Sequence, residues 1–410
     1  MRAEIIGIGT ELLLGQIVNT NAQRISTALA TVGIDVMWHV VVGDNHERMC
    51  AAIRTSIERS DAVIITGGLG PTPDDITREA IAEVAGRPLE RVPELVEQIE
   101  TVFKRFGRDM PEANLKQADL PQGANPIAPE GTAPGFYLDH GDALVVALPG
   151  VPWEMEAMLG KTVLPLLRAR AGDSVILSRH VLVMGLGESA THEKVADIVD
   201  AQTNPTIAFL ASHGQVRLRI TAKAATESEA LGLIAPVESA LRERLGRAAV
   251  PGDHSTIASA LGEMLRERGI TVAVAESLTG GLIGATLSDI GGSGDYYLGS
   301  LVCYSTESKE HVAEVDPAIL QGPGPVSEEA AGALAEAAAR KFKADLGVSA
   351  TGVAGPAEQD GMPVGTVFVG ACVGGRTEVR RVKGYGDRSN IRGIATSAAL
   401  DLGRRMIEEA

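Results

Sequence analysis

The sequence predicts an α/β protein in which two domains with mainly parallel sheets are joined by a small α+β module. Near both ends of the chain, apolar runs that stop at glycines alternate with helical patterns, as in parallel sheets covered by helices. Between these regions, residues 178–249 read as strand, helix, two consecutive strands and helix. The 410 residues are enough for two or three domains. We place the domains at residues 1–172, 173–252 and 253–410.

The first predicted domain begins with a buried strand that stops at glycines. Strands are predicted at 3–9, 35–42, 62–66 and 144–148, and helices at 21–32, 47–60, 75–85, 93–105 and 153–170. In the middle module, strands are predicted at 179–184, 206–211 and 215–222, and helices at 189–201 and 227–245. Val216, Leu218 and Ile220 alternate there with arginines, which indicates a strand with one face exposed to water.

The last predicted domain follows a linker at 251–255 and returns to the α/β pattern. Its strands are predicted at 270–275, 300–304, 346–351 and 366–373, and its helices at 256–268, 280–289, 328–343 and 388–408. Aromatic residues make up only 3% of the chain, so the cores must be built from alanine, valine, leucine and isoleucine.

Charge and composition exclude several classes of protein. The formal net charge of −16 argues against nucleic-acid binding, which needs lysine and arginine to neutralise phosphates. The three cysteines are far apart and form no zinc or disulfide pattern, so reduced thiols are expected. The N-terminus is too polar for a signal peptide and no apolar stretch is long enough to span a membrane, so we expect a cytoplasmic protein.

Ser277 and Lys309 are the candidates for acyl chemistry in the last domain. Ser277 lies between a predicted strand and a predicted helix, where backbone N–H groups can stabilise an oxyanion, although serine there is also an ordinary helix cap. His311 is the only histidine after the linker and lies in a polar stretch, so a Ser-His-Asp triad is not expected. A lysine whose pKa is lowered by burial can activate serine instead. The spacing of Lys309 alone favours a solvated surface residue.

Several motifs of this domain, in order, resemble the nicotinamide-nucleotide amidase domain. They are AESLTGG at 275–281, VCYSTESK at 302–309, ATGVAGP at 350–356, PVGTV at 363–367 and GYGDR at 384–388. The resemblance implies hydrolysis of nicotinamide mononucleotide to nicotinate mononucleotide and ammonia, with no cofactor. It implies that Ser277 is the nucleophile and Lys309 the base, and that Tyr304, Thr351 and Arg388 take part in catalysis or substrate binding.

Polar and glycine positions around these residues complete the expected site. We expect the backbone at 278–281, with Thr279, Gly280 and Gly281, to hold the oxyanion. Gly352 and Gly355 belong to a loop of small residues that allows close approach of the ribose or phosphate, and Arg388 can pair with the 5′-phosphate.

A glycine-rich loop in the first domain predicts a phosphate site. The sequence TGGLGPTPDDIT at 66–77 follows a strand and opens a helix, so Gly67, Gly68 and Gly70 can bring backbone N–H groups to an anion. Asp74 and Asp75 would repel that anion unless a cation lies between them, which indicates a metal-assisted site. The alternative is that Asp74 is simply the N-cap of the helix.

The first 170 residues resemble the molybdopterin-binding-like domain of the competence/damage-inducible CinA family. The motifs are GTELLLGQIVNTN at 9–21, TGGLGPTPDDIT at 66–77 and PGVPWEM at 149–155. With the amidase motifs, this resemblance spans nearly the whole chain. It implies metal-dependent hydrolysis of ADP-ribose to AMP and ribose 5-phosphate. The expected metal ligands are Glu11, Asp75 and Glu154, and Asn19 and Thr77 are expected to bind substrate.

The middle module resembles a KH-type fold in its order of elements. Its eight positive and eight negative side chains balance, and it lacks a basic GxxG clamp, so we expect a spacer or dimerisation element and no direct binding of nucleic acid. We expect a homodimer that acts on small nucleotides. Two other functions remain open: a pterin- or nucleotide-binding adaptor protein of competence and DNA-damage response with a single amidase activity, and an amidase for another small amide.

Overall fold

The computed structural model describes residues 1–172 and 174–409. Residue 173, the first of the predicted middle module, and residue 410, the last of the predicted third domain, lie outside the described residues. The chain divides into two compact units, residues 1–177 with 222–232, and residues 178–221 with 233–410. The three domain boundaries drawn from the sequence stay a prediction.

A six-stranded sheet organises the first unit. Its strands and those of a small antiparallel ribbon are β1 (Arg2–Ile8), β2 (Asp35–Val42), β3 (Ala62–Thr66), β4 (Leu89–Arg91), β5 (Asp119–Pro121), β6 (Asn125–Ile127), β7 (Gly135–His140) and β8 (Ala143–Leu148). The order in the sheet is β2-β1-β3-β8-β7-β6, and β7 is the one strand of this sheet that runs against the others. The carboxyl ends of β1, β3 and β8 therefore lie side by side at one edge of the sheet.

Among the described residues, seven α-helices and a 3-10 helix at Glu112–Ala118 accompany these strands. The α-helices are α1 (Thr10–Leu13), α2 (Thr20–Ala30), α3 (His46–Arg59), α4 (Thr77–Ala85), α5 (Pro93–Arg105), α6 (Pro152–Met158) and α7 (Leu164–Ala171). Helices α6 and α7 are joined by a π-helical turn at Leu159–Val163 and together form the single helix predicted from the sequence. The sheet is buried on both faces, as the strand AVIIT of β3 shows, since each of its residues is buried.

The middle of the chain has the predicted order of elements. They are β9 (Val175–Met184), α8 (Glu188–Asp200), β10 (Thr206–Ser212), β11 (Gln215–Ala224) and α9 (Glu227–Leu245). The strands form one sheet in the order β10-β11-β9, with β10 and β11 antiparallel. Along β11, Val216, Leu218 and Ile220 are buried while Arg219 is exposed, so the predicted strand with one wet face is confirmed.

The C-terminal region is built on a five-stranded sheet. Its elements are α10 (Ile257–Arg268), β12 (Val272–Glu276), α11 (Leu282–Ser288), β13 (Tyr297–Val302), α12 (Thr306–His311), α13 (Pro317–Gln321), α14 (Glu328–Phe342), β14 (Leu346–Gly352), β15 (Thr366–Val373), β16 (Arg376–Lys383) and α15 (Arg388–Glu408). The order is β13-β12-β14-β15-β16, and β15 alone in this sheet is reversed. The predicted α/β fold with mainly parallel sheets is thus confirmed in both units.

Helices pack on both faces of this second sheet. Val272 and Val274 of β12 join the core formed with α10 and α15, whereas Ala273 and Ala275 face the alanine-rich surface of α14. A β-carbon at Gly347 would lie 2.0 Å from the Ala335 carbonyl oxygen, so α14 rests directly on the strand backbone. This close packing by small residues explains how a chain with few aromatics fills its core.

No helix among residues 1–172 and 174–409 is long and apolar enough to cross a membrane.

Candidate functional sites

Ser277 directly follows the last residue of β12, at the carboxyl edge of the parallel strands. Its backbone N–H donates to the Ala350 carbonyl of β14 at 2.9 Å, and the turn closes when Gly280 N–H donates to the Ser277 carbonyl at 3.0 Å. Its hydroxyl makes no hydrogen bond within the described part of the chain. The side chain lines a cavity of about 90 Å³, so the hydroxyl is available to a ligand.

The helix after Ser277 starts later than predicted. Helix α11 begins at Leu282, and its first free N–H groups are occupied: the buried carboxylate of Glu276 accepts from Ile283 and Gly284, both at 2.9 Å. Ser300 donates a third hydrogen bond to that carboxylate at 3.2 Å. The predicted oxyanion donors, the backbone N–H groups at 278–281, precede this helix, whose own first N–H groups are already satisfied by Glu276.

The turn itself retains free donors. The N–H groups of Leu278, Thr279 and Gly281 have no acceptor among the residues that the structure describes. Gly280 and Gly281 adopt φ values of +58° and +94°, which turn the chain back toward the helix. Arg392 was not predicted from the sequence. The Nε of Arg392 donates to the Thr279 carbonyl at 3.2 Å. This guanidinium, carried by α15, holds the turn from outside.

Lys309 is buried, contrary to the solvated surface position that its spacing favours. Its side chain is only 2% exposed, and Nζ donates to the Pro325 carbonyl at 3.0 Å. Burial lowers the pKa of the ammonium to about 8, since the loss of water by the charged form outweighs the opposing effects of Cys303 and Asp360. A substantial fraction of Lys309 is therefore neutral near physiological pH, as a general base requires.

Thr351 meets Lys309 at the same acceptor. Its hydroxyl also donates to the Pro325 carbonyl, at 2.8 Å, from a fully buried position in β14. Strand β14 pairs with β12 so that Ala350 lies opposite Glu276, which places Thr351 level with Ser277. On the other side of β12, Cys303 N–H donates to the Glu276 carbonyl at 2.7 Å, so the segment that leads to Lys309 starts at the same edge.

Tyr304 and Arg388 line the cavity with Ser277, and so do Gly352 and Gly355. Arg388 donates to the Tyr304 hydroxyl at 2.6 Å and to the Gly355 carbonyl, and among the described residues it has no carboxylate partner. Both side chains are largely exposed, Tyr304 by 60%. The guanidinium thus keeps its full positive charge and is open to an anion at the mouth of the cavity.

A larger cavity, of about 420 Å³, lies in the first unit at the carboxyl edge of β1, β3 and β8. It is lined by the predicted Gly67, Gly68 and Gly70 and by five carboxylates, Glu11, Asp44, Asp74, Asp75 and Glu154. Asp44 was not predicted, although it follows β2 as Glu11 follows β1. Five acidic side chains around one cavity form a strongly negative surface, which suits a cation better than a bare phosphate.

The carboxylates differ in their partners. Asp75 accepts from the backbone N–H and the hydroxyl of Thr72, the N–H at 2.9 Å. Glu154 is 7% exposed, and its Oε2 has no partner in the described residues. Burial raises the pKa of the Glu154 carboxyl, and one backbone hydrogen bond from Ala133 only partly opposes it. A buried carboxylate oxygen without a partner is costly, so Oε2 is available to a ligand in the cavity.

Two residues that were predicted to bind substrate make hydrogen bonds within the protein. Thr77 is fully buried, and its hydroxyl donates to the Gly67 carbonyl at 2.8 Å, so it shapes the loop and does not line the cavity. Asn19 caps α2 by accepting from Ala22 N–H at 3.1 Å, and it lines a smaller neighbouring cavity that shares Glu11. Thr77 is therefore not among the residues that line this cavity, and its contact with substrate stays a prediction.

The start of helix α4 and a buried arginine hold the loop between β3 and α4 in place. Helix α4 begins at Thr77 with Ile76 as N-cap, so Asp74 is not the cap. Arg78, which the sequence did not mark, is 1% exposed and donates to the carbonyls of Leu69 at 2.8 Å and Gly70 at 2.9 Å. Because the buried guanidinium binds these two carbonyls on one side of the loop, the other side of the loop faces the cavity.

Three family models match the chain in succession. They are a probable molybdopterin binding domain over residues 4–169, a damage-inducible protein CinA KH domain over 178–250 and a CinA C-terminal domain over 254–407.

Relatives match over almost the whole chain. A CinA-like protein from Frankia casuarinae is 44% identical and the match covers 99% of this chain and 96% of the relative. A protein named for competence-damage induction from Bacillus subtilis is 42% identical, with 100% and 99% covered. Among solved structures, the protein CinA from Thermoplasma acidophilum is 40% identical, covers 39% of this chain and 94% of its own, and has a TM-score of 0.37.

Proposed function

The chain belongs to the CinA family and carries that family's molybdopterin-binding-like domain, and we propose that its C-terminal site hydrolyses the carboxamide of nicotinamide mononucleotide. One observation carries the proposal. A buried lysine with a lowered pKa, Lys309, belongs to the segment that leaves the same sheet edge as a serine whose hydroxyl opens on a cavity. A nucleophile and a neutral base at one edge are the parts that acyl transfer requires.

Each residue of the site has one role in the proposed reaction. Lys309 Nζ turns from the Pro325 carbonyl, which Thr351 continues to satisfy, and takes the proton of the Ser277 hydroxyl as Oγ attacks the carboxamide carbon. The N–H groups of Leu278 and Thr279 stabilise the oxyanion, at roughly 3 kcal/mol for each donor. The C–N bond breaks, and Lys309 returns the proton to the departing nitrogen as ammonia. Water then hydrolyses the acyl-enzyme to nicotinate mononucleotide.

Arg388 supports the choice of a nucleotide over a free amide. The cavity of about 90 Å³ has room for a carboxamide end but not for a whole mononucleotide, so ribose and phosphate extend toward the open side. Arg388 stands there with two neutral partners and an available charge. A 5′-phosphate paired with this guanidinium would separate the mononucleotide from nicotinamide and from its riboside, which lack that group.

The test is ammonia release from nicotinamide mononucleotide without added metal. We expect release by the wild type and by Ser288→Ala, an exposed serine of α11, and none by Ser277→Ala. The riboside should be hydrolysed far more slowly than the mononucleotide by the wild type, and Arg388→Ala should reduce that preference. No release by the folded wild type, or equal release from Ser277→Ala, would refute the proposal.

For the first unit we propose metal-dependent hydrolysis of ADP-ribose to AMP and ribose 5-phosphate. The support is the set of acidic side chains around a cavity that glycine backbone also lines: Glu11, Asp75 and Glu154 can hold a divalent cation, and Gly67 and Gly68 bring main chain to the same cavity. The bound cation would supply charge neutralisation for the pyrophosphate and a more acidic water. The unpartnered Oε2 of Glu154 fits that assignment.

The test of this second activity is AMP formation from ADP-ribose with and without magnesium or manganese. We expect turnover only with metal, and loss of turnover in Glu154→Gln. Glu156→Gln serves as control, since Glu156 is exposed on the same helix. If ADP-ribose binds without being hydrolysed, the first unit is a binding domain, as the adaptor alternative requires, and the deamidase proposal is unaffected.

A further inference from the structure

A second group of possible metal ligands lies between helices α3 and α4. His46 and Cys50 are four residues apart on α3 and therefore share a face, and Glu83 of α4 approaches that face. His46 Nδ1 lies 3.8 Å from Cys50 Sγ and 3.6 Å from Glu83 Oε2. All three ligand atoms lie within 4.8 Å of one another.

The remaining oxygen of the carboxylate is already oriented. Arg54 Nη2 donates to Glu83 Oε1 at 2.9 Å, which leaves Oε2 as the oxygen that faces His46. Metal sites commonly orient a ligating carboxylate through a hydrogen bond to its other oxygen. Arg54 therefore does not block the oxygen atom that would bind a metal ion.

Cys50 lacks a strong partner in the structure. Its sulfur is 1% exposed and its other contact is the Ala80 carbonyl, at 3.7 Å. Burial raises the pKa of the thiol, and the charge of Glu83 raises it further. A divalent cation at this place would reverse both effects, because it would stabilise the thiolate and offset the carboxylate.

We propose that His46 Nδ1, Cys50 Sγ and Glu83 Oε2 bind a divalent transition-metal ion such as zinc, with water as the fourth ligand. Tetrahedral zinc with bonds of about 2.0–2.3 Å places its ligand atoms roughly 3.5 Å apart. The two distances from His46 Nδ1, 3.6 and 3.8 Å, are within tenths of an ångström of that spacing, and Cys50 Sγ and Glu83 Oε2 lie within 4.8 Å of each other. Binding replaces the thiol S–H bond by a metal–sulfur bond and releases one proton to solvent. His46 and Glu83 are partly exposed, which leaves access for the water and the ion.

The chemistry of the ligands separates this site from the cavity of the proposed pyrophosphatase. Glu11, Asp75 and Glu154 offer oxygen atoms alone, a set that suits magnesium or manganese. Nitrogen and sulfur ligands favour zinc and cobalt. The proposed zinc site can therefore be tested independently of either hydrolytic activity.

Cobalt(II) is the probe, because a cobalt–thiolate bond gives a charge-transfer absorption that oxygen ligands do not. Titration of the reduced, metal-free protein should give this band with one equivalent, together with release of a proton. The band should vanish in Cys50→Ser and persist in Cys372→Ser, which removes another buried cysteine. His46→Ala changes a half-exposed residue and should weaken zinc binding at least about tenfold.

Two results would overturn the proposal. One is a wild type without a cobalt–thiolate band, and the other is a band that Cys50→Ser retains. Should Cys50→Ser fail to fold, His46→Ala decides the matter, since unchanged zinc affinity in that variant, measured by competition with a chromophoric chelator, excludes the site.

Discussion

Replacing Lys309 by methionine should stabilise the C-terminal unit at neutral pH while abolishing ammonia release. The pKa of the ammonium falls from 10.5 to about 8 because the folded chain removes it from water. At pH 7 the group is mostly protonated in both states, so the folded state carries nearly the whole penalty. Methionine has a similar length and no charge to desolvate, which removes that penalty.

The magnitude follows from the two pKa values. A difference between 10.5 and about 8 corresponds to about 3 kcal/mol at pH 7, at about 1.4 kcal/mol for each pH unit. Loss of the hydrogen bond from Nζ to Pro325 offsets about 1 kcal/mol of this gain, because Thr351 still satisfies that carbonyl. The variant should therefore be more stable by about 2 kcal/mol at pH 7.

The pH dependence has a definite sign. As pH rises from 8 toward 10.5, the unfolded chain binds more protons at this lysine than the folded chain, so the stability of the wild type rises. The penalty falls to about 1 kcal/mol at pH 10, where the advantage of methionine should disappear.

Pulse proteolysis in urea can measure this difference. Both tryptophans, Trp38 and Trp153, belong to the first unit, so fluorescence does not report on the unfolding of interest. Survival of the C-terminal fragment after a short protease pulse does report on it. A Lys309→Met protein that is less stable than wild type at pH 7, or whose advantage stays constant up to pH 10, would refute the burial argument.

Three other results are expected. Ammonia release by the wild type should rise about tenfold per pH unit below about pH 8 and level off above it, because the neutral form of Lys309 is the base; a profile that is flat from pH 6 to 9 would contradict this. Glu276→Gln should lower the free energy of unfolding by about 3 kcal/mol, because an amide cannot accept from both N–H groups that the carboxylate satisfies. In the same urea-unfolding experiment, Glu267→Gln, at an exposed position, should leave that free energy nearly unchanged. Arg392→Met should lower kcat by about a hundredfold with little change in KM, because the guanidinium holds the Thr279 carbonyl and is not among the residues that line the Ser277 cavity. A rise in KM alone would assign Arg392 to substrate binding.

Much of the fold could be predicted because it depends on local patterns. Strands β2 and β3 and helix α5 have the predicted ends, since apolar runs there are bounded by turn residues. Strand β16 was missed because its sequence, RTEVRRVK, is polar and mostly half-exposed. Its one sequence signal was the pair Gly374-Gly375, whose positive φ values of +57° and +82° make the two-residue hairpin turn to β15. A similar two-residue turn at Gly141 joins β7 to β8, and β7 was also missed.

The site could be predicted only in part, because motifs identify residues but not their surroundings. Ser277, Tyr304 and Arg388 line one cavity, whereas the roles that their motifs imply stay a prediction. The burial of Lys309 could not be read from the polar segment STESKEH, since the residues that cover it, such as Pro325, come from later in the chain. The same holds for Arg392, which reaches the Thr279 carbonyl across 113 residues of sequence.

Arg388 has a consequence for how fast, as opposed to how tightly, a nucleotide binds. The guanidinium is held by a phenol and a carbonyl, so an incoming phosphate breaks no salt bridge and meets a preorganised cation. The chain as a whole carries −16, and the field of this net charge, which physiological salt screens beyond about 8–10 Å, opposes the approach of an anion. Attraction by Arg388 and repulsion by the net charge therefore oppose each other. Added salt should therefore speed the encounter with an anionic substrate while weakening the final contact, a reversal of the salt effect seen when a basic protein captures a phosphate.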